Sequence, residues 1–178
     1  MSEGNANDNL REFGNELSLG DLVFDENKTC ILGIDNAFSL HLTYEPRSDR
    51  LYLYAPVLDG LPTNDQIRMK LYEALLTGSM LGGRMAGGGV GVAANEGLIL
   101  MHCVLEMGLG TDSKALCRFA PLFVQAVEEW RKIAEDIVAG KDVKVELVPN
   151  AAIGGGTPGG GGLPQGYRPT NPSTFVKV

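Results

Sequence analysis

The stretch Gly82–Ala94, GGRMAGGGVGVAA, decides which fold class the sequence predicts. Its second half, GVGVAA, matches the letters G-x-G-x-x-A of a dinucleotide-binding loop. Such a loop needs a strand before it and a helix after it, because the pyrophosphate lies on the helix N-terminus. Here a helix is predicted before the glycines and a strand after them. We therefore expect the glycines to allow close backbone approach or edge-strand bulges; a nucleotide-binding protein or enzyme that uses Gly82–Gly91 is the alternative.

The helix before the glycines is predicted from about residue 64 to residue 81, after a capping box formed by Thr63 and Gln66. It carries two apolar stripes on neighbouring faces. The first comprises Ile67, Leu71, Ala74 and Leu75, and the second comprises Met69, Tyr72, Leu76 and Met80. A surface helix usually carries one stripe, so we expect the sheet to cover one stripe and a further partner to cover the other.

The region before this helix predicts one helix followed by four strands. Residues 6–19 repeat apolar side chains at helical spacing. Residues 22–24 and 29–32 flank the turn-rich sequence DENK and predict a hairpin. Residues 38–44 alternate strictly between apolar and polar side chains, as a half-buried strand does. The run RLYLYAP, residues 50–56, predicts the next strand.

Two more strands and a final helix are predicted after the glycines. The strands cover residues 89–92 and 97–107, around the turn ANEG. The helix ends near Val138, and Pro121 is expected in its first turn, where proline is tolerated. The element order α-β-β-β-β-α-β-β-α predicts an α+β fold with a mostly antiparallel, twisted sheet flanked by three helices.

Composition limits the class of protein. The 178 residues carry a formal net charge of −7, which repels nucleic acid and anionic lipid. No apolar run reaches the ~20 residues of a membrane span, and the polar N-terminus lacks the features of a signal peptide. We therefore expect a cytoplasmic protein with a domain over residues 1–148. Residues 149–178 are rich in glycine and proline and predict a disordered tail.

The sequence contains no constellation typical of catalysis or metal binding. The odd cysteine count, with no C-x-x-C motif, argues against a disulfide framework; the three residues are Cys30, Cys103 and Cys117. His102 and Cys103 are neighbours on a predicted strand, so their side chains point to opposite faces. No ligand pair has chelating spacing, and no serine lies in a G-x-S-x-G elbow. We predict a protein that is not an enzyme and holds neither metal nor cofactor.

A series of segments resembles the class I type III secretion chaperones, the Tir-chaperone group that includes CesT and SycE. In chain order the segments are FDENKTCILGID, LYLYAPVLDGLP, LLTGSMLGG, GGGVGVAANEGLILMHCVL and FVQAVEEW. The resemblance covers residues 5 to about 140 and is strongest to the chlamydial multi-effector chaperone. It implies a homodimer without ATPase activity that binds N-terminal segments of effector proteins, with several clients, and keeps them soluble and secretion-competent.

The resemblance also implies which surfaces bind protein partners. The central helix and the glycine-rich strand would form a two-fold dimer interface with Met69, Tyr72, Leu76, Met80, Met85, Val90 and Val92. The effector would contact the first helix and one sheet face, at Leu10, Phe13, Leu17, Phe24, Leu32 and Ile34, and add a strand to the edge near residues 23–29. An alternative for these six residues is that they pack the first helix onto its own sheet. Further expected partners are the secretion-apparatus ATPase or sorting-platform proteins.

Overall fold

The computed structural model describes residues 2–108, 110–145 and 175–177, and these residues form an α+β fold, as the sequence predicted. The helices are α1 (Ser2–Glu16), α2 (Asp65–Ser79) and α3 (Ala115–Val138). The strands are β1 (Thr29–Ile34), β2 (Phe38–Glu45), β3 (Arg50–Asp59), β4 (Gly89–Ala93), β5 (Leu98–Glu106) and β6 (Phe175–Lys177). A turn of 3-10 helix, Met80–Gly82, directly follows α2.

The strands form one antiparallel sheet in the order β4-β5-β3-β2-β1-β6. Its register follows from the period-two patterns in the sequence. In β2 the side chains of Phe38, Leu40, Leu42 and Tyr44 are buried, whereas those between them are half-buried. In β3, Leu51 and Leu53 lie in the core, and Tyr52 and Tyr54 lie on the opposite face. The sheet therefore has an inner face in the core and an outer face that no described helix covers.

The helices close the core on the inner face of the sheet. Helix α3 packs across β3 and β5, and both α1 and α2 pack against α3. The largest fully buried side chains include Trp130 and Phe123 of α3 and Leu10 of α1. Each such side chain stabilises the fold by about 1.5–3 kcal/mol relative to its exposed state. The core is contained within one chain.

Asn9, which is fully buried, links α1 to the start of α3. Its Oδ1 accepts a hydrogen bond of 2.9 Å from the backbone N–H of Leu116, and its Nδ2 donates to the carbonyl of Asp112 at 3.2 Å. These bonds satisfy a buried amide and a free N–H in the first turn of α3. This contact explains why α3 begins at Ala115 and runs through Pro121, rather than beginning near the proline as predicted.

Two further local predictions are wrong. The side chain that caps α2 belongs to Asn64, not Thr63, and accepts from the backbone N–H groups of Gln66 and Ile67. Residues 22–24 form no strand, so three strands, not four, precede α2. The chain around these residues instead packs onto α1: a Cβ on Gly14 of α1 would lie 2.4 Å from the carbonyl oxygen of Gly20. Contact with α1 thus replaces the expected hairpin pairing.

Most of the predicted tail, residues 146–174 and 178, lies outside the described residues. Its segment Phe175–Lys177 is described as β6, an antiparallel neighbour of β1. None of the helices in the described parts of the chain combines the length and apolar content that a bilayer span requires.

Candidate functional site

Helix α2 presents an apolar face to solvent. Met69, Leu76 and Met80 are 65%, 62% and 54% exposed, and Tyr72 is half-buried beside them. On the opposite face, Leu71, Ala74, Leu75 and Gly78 are buried. The two predicted stripes therefore have different environments: the core covers the first, and nothing in the described chain covers the second. We call Met69, Tyr72, Leu76, Met80 and Leu81 the α2 face.

Leu81, which the sequence analysis missed, is the most exposed of the large apolar side chains described, at 77%. Its backbone φ of 59° lies in the left-handed region, which costs a non-glycine residue roughly 1–2 kcal/mol. Helices commonly end with glycine at such a position. An apolar side chain in a strained, solvent-exposed conformation makes this position a candidate contact, because neither feature stabilises the isolated chain.

The remaining predicted dimer residues divide between the core and the surface. Met85 is fully buried, and Val90 is half-buried against the core. Val92 is exposed on β4, the edge strand of the sheet. Helix α2 contacts β4, so the α2 face and this sheet edge are adjacent. Met85 supports the surface from below rather than contributing to it.

The glycines around α2 are needed for close packing. A Cβ on Gly78 would lie 2.0 Å from the Trp130 ring, and one on Gly88 would lie 1.9 Å from the carbonyl oxygen of His102. Trp130 also donates a hydrogen bond of 2.9 Å from Nε1 to the carbonyl of Arg84. The order is helix, glycine-rich turn, strand, so no helix N-terminus follows the glycines to bind a phosphate. The geometry does not support the nucleotide-binding alternative.

The predicted effector contacts are mostly inaccessible in the isolated chain. Leu10, Phe13, Leu32 and Ile34 are buried in the core, where they pack α1 and β1 together with the rest of the sheet. Leu17 and Phe24 are half-buried at the core margin. The Phe24 ring lies 6.4 Å from that of Tyr44. Only these two marginal side chains offer surface to a client without rearrangement, and effector contact at all six positions stays a prediction.

The outer face of the sheet carries a shallow, open groove of about 420 Å³, lined by Tyr52, Tyr54, Leu100 and His102 among others. Tyr54 stacks on His41 with ring centroids 4.9 Å apart, and its hydroxyl lies 3.2 Å from the hydroxyl of Thr43. Burial lowers the pKa of His41. No helix among the described residues covers this tyrosine-lined face.

The described residues contain no group of histidine, cysteine or acidic side chains that could hold a metal ion. All three cysteines are buried, and each is a thiol rather than part of a disulfide. Burial raises the pKa of the Cys103 thiol far above its ordinary value, and burial together with the Glu16 carboxylate raises that of Cys117 to about 11. These thiols are protonated at neutral pH, which is the unreactive form.

The outer edge of β1 lies at the end of the sheet opposite to β4. Residues 32–34 pair there with β6. The residues just before β1 form a turn, in which the Asp25 N–H donates a hydrogen bond of 2.9 Å to the carbonyl of Thr29. The predicted client edge near residues 23–29 is thus a turn rather than a strand edge.

Comparisons with known proteins place this geometry in a family. Residues 8–131 match the family model described as the Tir chaperone protein (CesT) family. The structure titled "Structure of the HopA1-SchA Chaperone-Effector Complex" is 25% identical, with a TM-score of 0.54 over 69% of this chain and 90% of that one. The structure titled "Crystal Structure of the ExsC-ExsE Complex" is 18% identical, with a TM-score of 0.58 over 72% and 92%. Curated proteins yield no match. The family model covers more than half of the sequence, so the chain belongs to the Tir chaperone protein (CesT) family.

Proposed function

We propose that this chain is a homodimeric type III secretion chaperone that binds N-terminal segments of effector proteins and keeps them soluble and secretion-competent. The observation that carries the proposal is the α2 face, an apolar surface beside a complete core. Family membership and the likeness to a chain solved in a chaperone–effector complex support it. Its activity is binding, and the glycine-rich segment serves packing.

The α2 face is the proposed contact between subunits. A two-fold dimer uses the same patch on both chains, so an apolar helix face can meet its own copy. Leu76 lies near the middle of the patch in sequence, between Met69 and Leu81. Exposed Val92 extends the patch onto β4. The net charge of −7 keeps the assembled protein soluble while apolar surface serves for contact.

The proposed client surface combines main-chain and side-chain recognition. An extended client segment would add to the β1 edge through backbone hydrogen bonds, with Leu17 and Phe24 at the core margin as apolar contacts. Ordering a disordered segment costs about 2–5 kcal/mol or more. That cost lowers the affinity below what the buried area suggests, so the client can be released to the secretion apparatus. Backbone pairing at the edge tolerates varied client sequences, because the hydrogen bonds involve only main-chain groups.

Three finer points belong to the proposal as well. The chaperone domain would comprise residues 1–148, with residues 149–178 as a Gly/Pro-rich tail. The protein would act in the bacterial cytoplasm, where unsecreted effectors are made. It would also deliver clients through contact with the secretion-apparatus ATPase or sorting-platform proteins. It would serve several clients, as the resemblance of its sequence to the chlamydial multi-effector chaperone implies.

Co-purification from the native bacterial cytosol tests the function. We expect the tagged full chain to recover secreted effectors, and recovery to be lost when the N-terminal segment of each effector is deleted. Leu17→Asp should reduce recovery because it places a charge at the apolar margin of α1. Leu122→Asp is the matched control, since Leu122 is 52% exposed on α3 and belongs to neither proposed surface. A clean preparation without associated effector would contradict the proposal.

A further inference from the structure

The β1 edge of the sheet is occupied by the end of the same chain. Leu32, Gly33 and Ile34 pair in antiparallel register with Lys177, Val176 and Phe175 respectively. On its other side β1 pairs with β2 over its whole length. An edge strand presents a row of backbone N–H and C=O groups that readily accepts another strand. Here the strand that pairs with this edge comes from the C-terminus.

The sequence of this C-terminal segment differs from the stretch that precedes it. Residues 154–172 are dominated by glycine and proline, whereas residues 173–178, STFVKV, contain neither. Phe, Val and Thr favour strands, and Gly and Pro disfavour them. The ~30 residues between Val145 and Phe175 can extend roughly 100 Å at most, which is ample for a return to β1. The chain thus carries one strand-forming segment at the end of a long connection.

We infer that β6 is a built-in competitor for the strand-binding edge of β1: an extended segment with alternating side chains binds there, and residues 175–177 hold the site until a client displaces them. The inference rests on the proposed function for the identity of the client, but the strand-accepting edge can be tested alone. A tether keeps the tail at high local concentration, and the pairing, which covers three residues in the described part of the chain, is short enough to be displaced. The apparent client affinity falls by the fraction of molecules whose edge is free.

A peptide of the tail sequence provides the probe. The peptide STFVKV is titrated by NMR into three full-length chains: the native protein, Phe175→Pro/Val176→Pro, and the control Thr170→Pro/Asn171→Pro. Adjacent strand residues direct their N–H groups to opposite sides, so the first pair of prolines removes a ladder donor whichever residue faces β1. We expect the peptide to bind Phe175→Pro/Val176→Pro about tenfold more tightly than the native protein or the control. This factor corresponds to a native edge that the tail occupies in ~90% of molecules, because the apparent affinity falls with the fraction of free edges. The amides of Leu32–Ile34 should shift.

Equal peptide affinity for all three chains, or binding to none, would overturn the inference. Hydrogen exchange provides a second measurement on the same full-length proteins. We expect exchange at residues 32–34 to accelerate in Phe175→Pro/Val176→Pro and to match the native rate in the control. Unchanged exchange in the tail variant would also overturn the inference. If the peptide binds as expected but no effector is recovered from cytosol, the inference about the β1 edge holds and the proposed function fails. If effectors are recovered but the tail variant does not bind the peptide more tightly, the proposed function holds and the inference fails.

Discussion

Helices α2 and α3 carry the same kind of sequence signal and meet different environments. In α3, apolar side chains at helical spacing, among them Phe123, Trp130 and Ile137, are buried against the sheet and the other helices. In α2, Met69 and Leu76 follow the same spacing but are exposed. The comparison shows that the monomer completes its core without the α2 face. Apolar surface that folding does not require is the surface available for binding.

The largest expected effect on stability comes from the buried apolar side chains of α3. Trp130→Ala should lower the free energy of unfolding by about 3–5 kcal/mol, because it leaves a cavity and removes the indole donor to Arg84. Urea denaturation followed by circular dichroism measures this loss. A loss below ~1 kcal/mol would mean that the fold does not depend on the buried side chains of α3, and α3 would then no longer differ from the exposed face of α2 in its contribution to stability.

A substitution on the α2 face should weaken dimer formation rather than folding. Leu76→Asp is expected to convert the dimer to monomer at micromolar concentration, because two charges would be buried across a two-fold contact. Far-ultraviolet circular dichroism should stay native, since the side chain lies outside the core. Leu122→Asp, an equally drastic change at an exposed leucine of α3, should leave the mass unchanged. Equal masses for both variants would contradict the assignment of the α2 face.

Gly78, on the buried face of α2, provides a test of how closely α2 packs against α3. Gly78→Ala should destabilise the protein by about 1–3 kcal/mol through overpacking, because its Cβ would overlap the Trp130 ring. Gly91→Ala is the matched control, since a Cβ there meets nothing within 4 Å. Thermal unfolding of the two variants measures the difference. A Gly78→Ala melting temperature equal to that of Gly91→Ala would mean that α2 does not pack this closely.

The smallest expected effect lies on the outer sheet face. Burial lowers the pKa of His41, so the folded state disfavours its charged form. Above the ordinary histidine pKa of about 6.5 both states are neutral and His41 contributes nothing. As the pH falls below that value, the unfolded chain binds a proton that the folded chain does not, and stability decreases until the folded pKa is passed. NMR titration should show His41 titrating below its ordinary value, and His41→Gln should flatten this part of the stability profile.

Local patterns allowed much of the fold to be predicted from sequence, and long-range contacts account for what was missed. The alternation of residues 38–44 and the two stripes of α2 are visible within one element. The absent strand at residues 22–24 was unpredictable from its own pattern: Leu22 is buried and Val23 exposed, as in a strand, but the segment packs onto α1 at Gly14. The start of α3 depends on Asn9, which is distant in sequence.

The candidate site divides in the same way. Periodicity located Met69, Leu76 and Met80 but gave no sign that Met85 would be buried, because its position depends on a turn rather than on a regular element. Leu81 was missed because its exposure arises from a left-handed backbone conformation just after the helix. Four of the six predicted effector contacts, Leu10, Phe13, Leu32 and Ile34, lie in α1 and β1 and are buried, so apolar pattern alone does not separate core from binding surface.

The solution mass of the native full-length chain tests the central claim most directly. Light scattering coupled to size exclusion, at micromolar concentration, should give twice the chain mass of 19.0 kDa, with the methyl groups of Met69 and Met80 protected from solvent paramagnetic probes. A mass of 19.0 kDa with both methionines accessible would contradict the claim that the apolar face left uncovered by folding joins two copies of the chain.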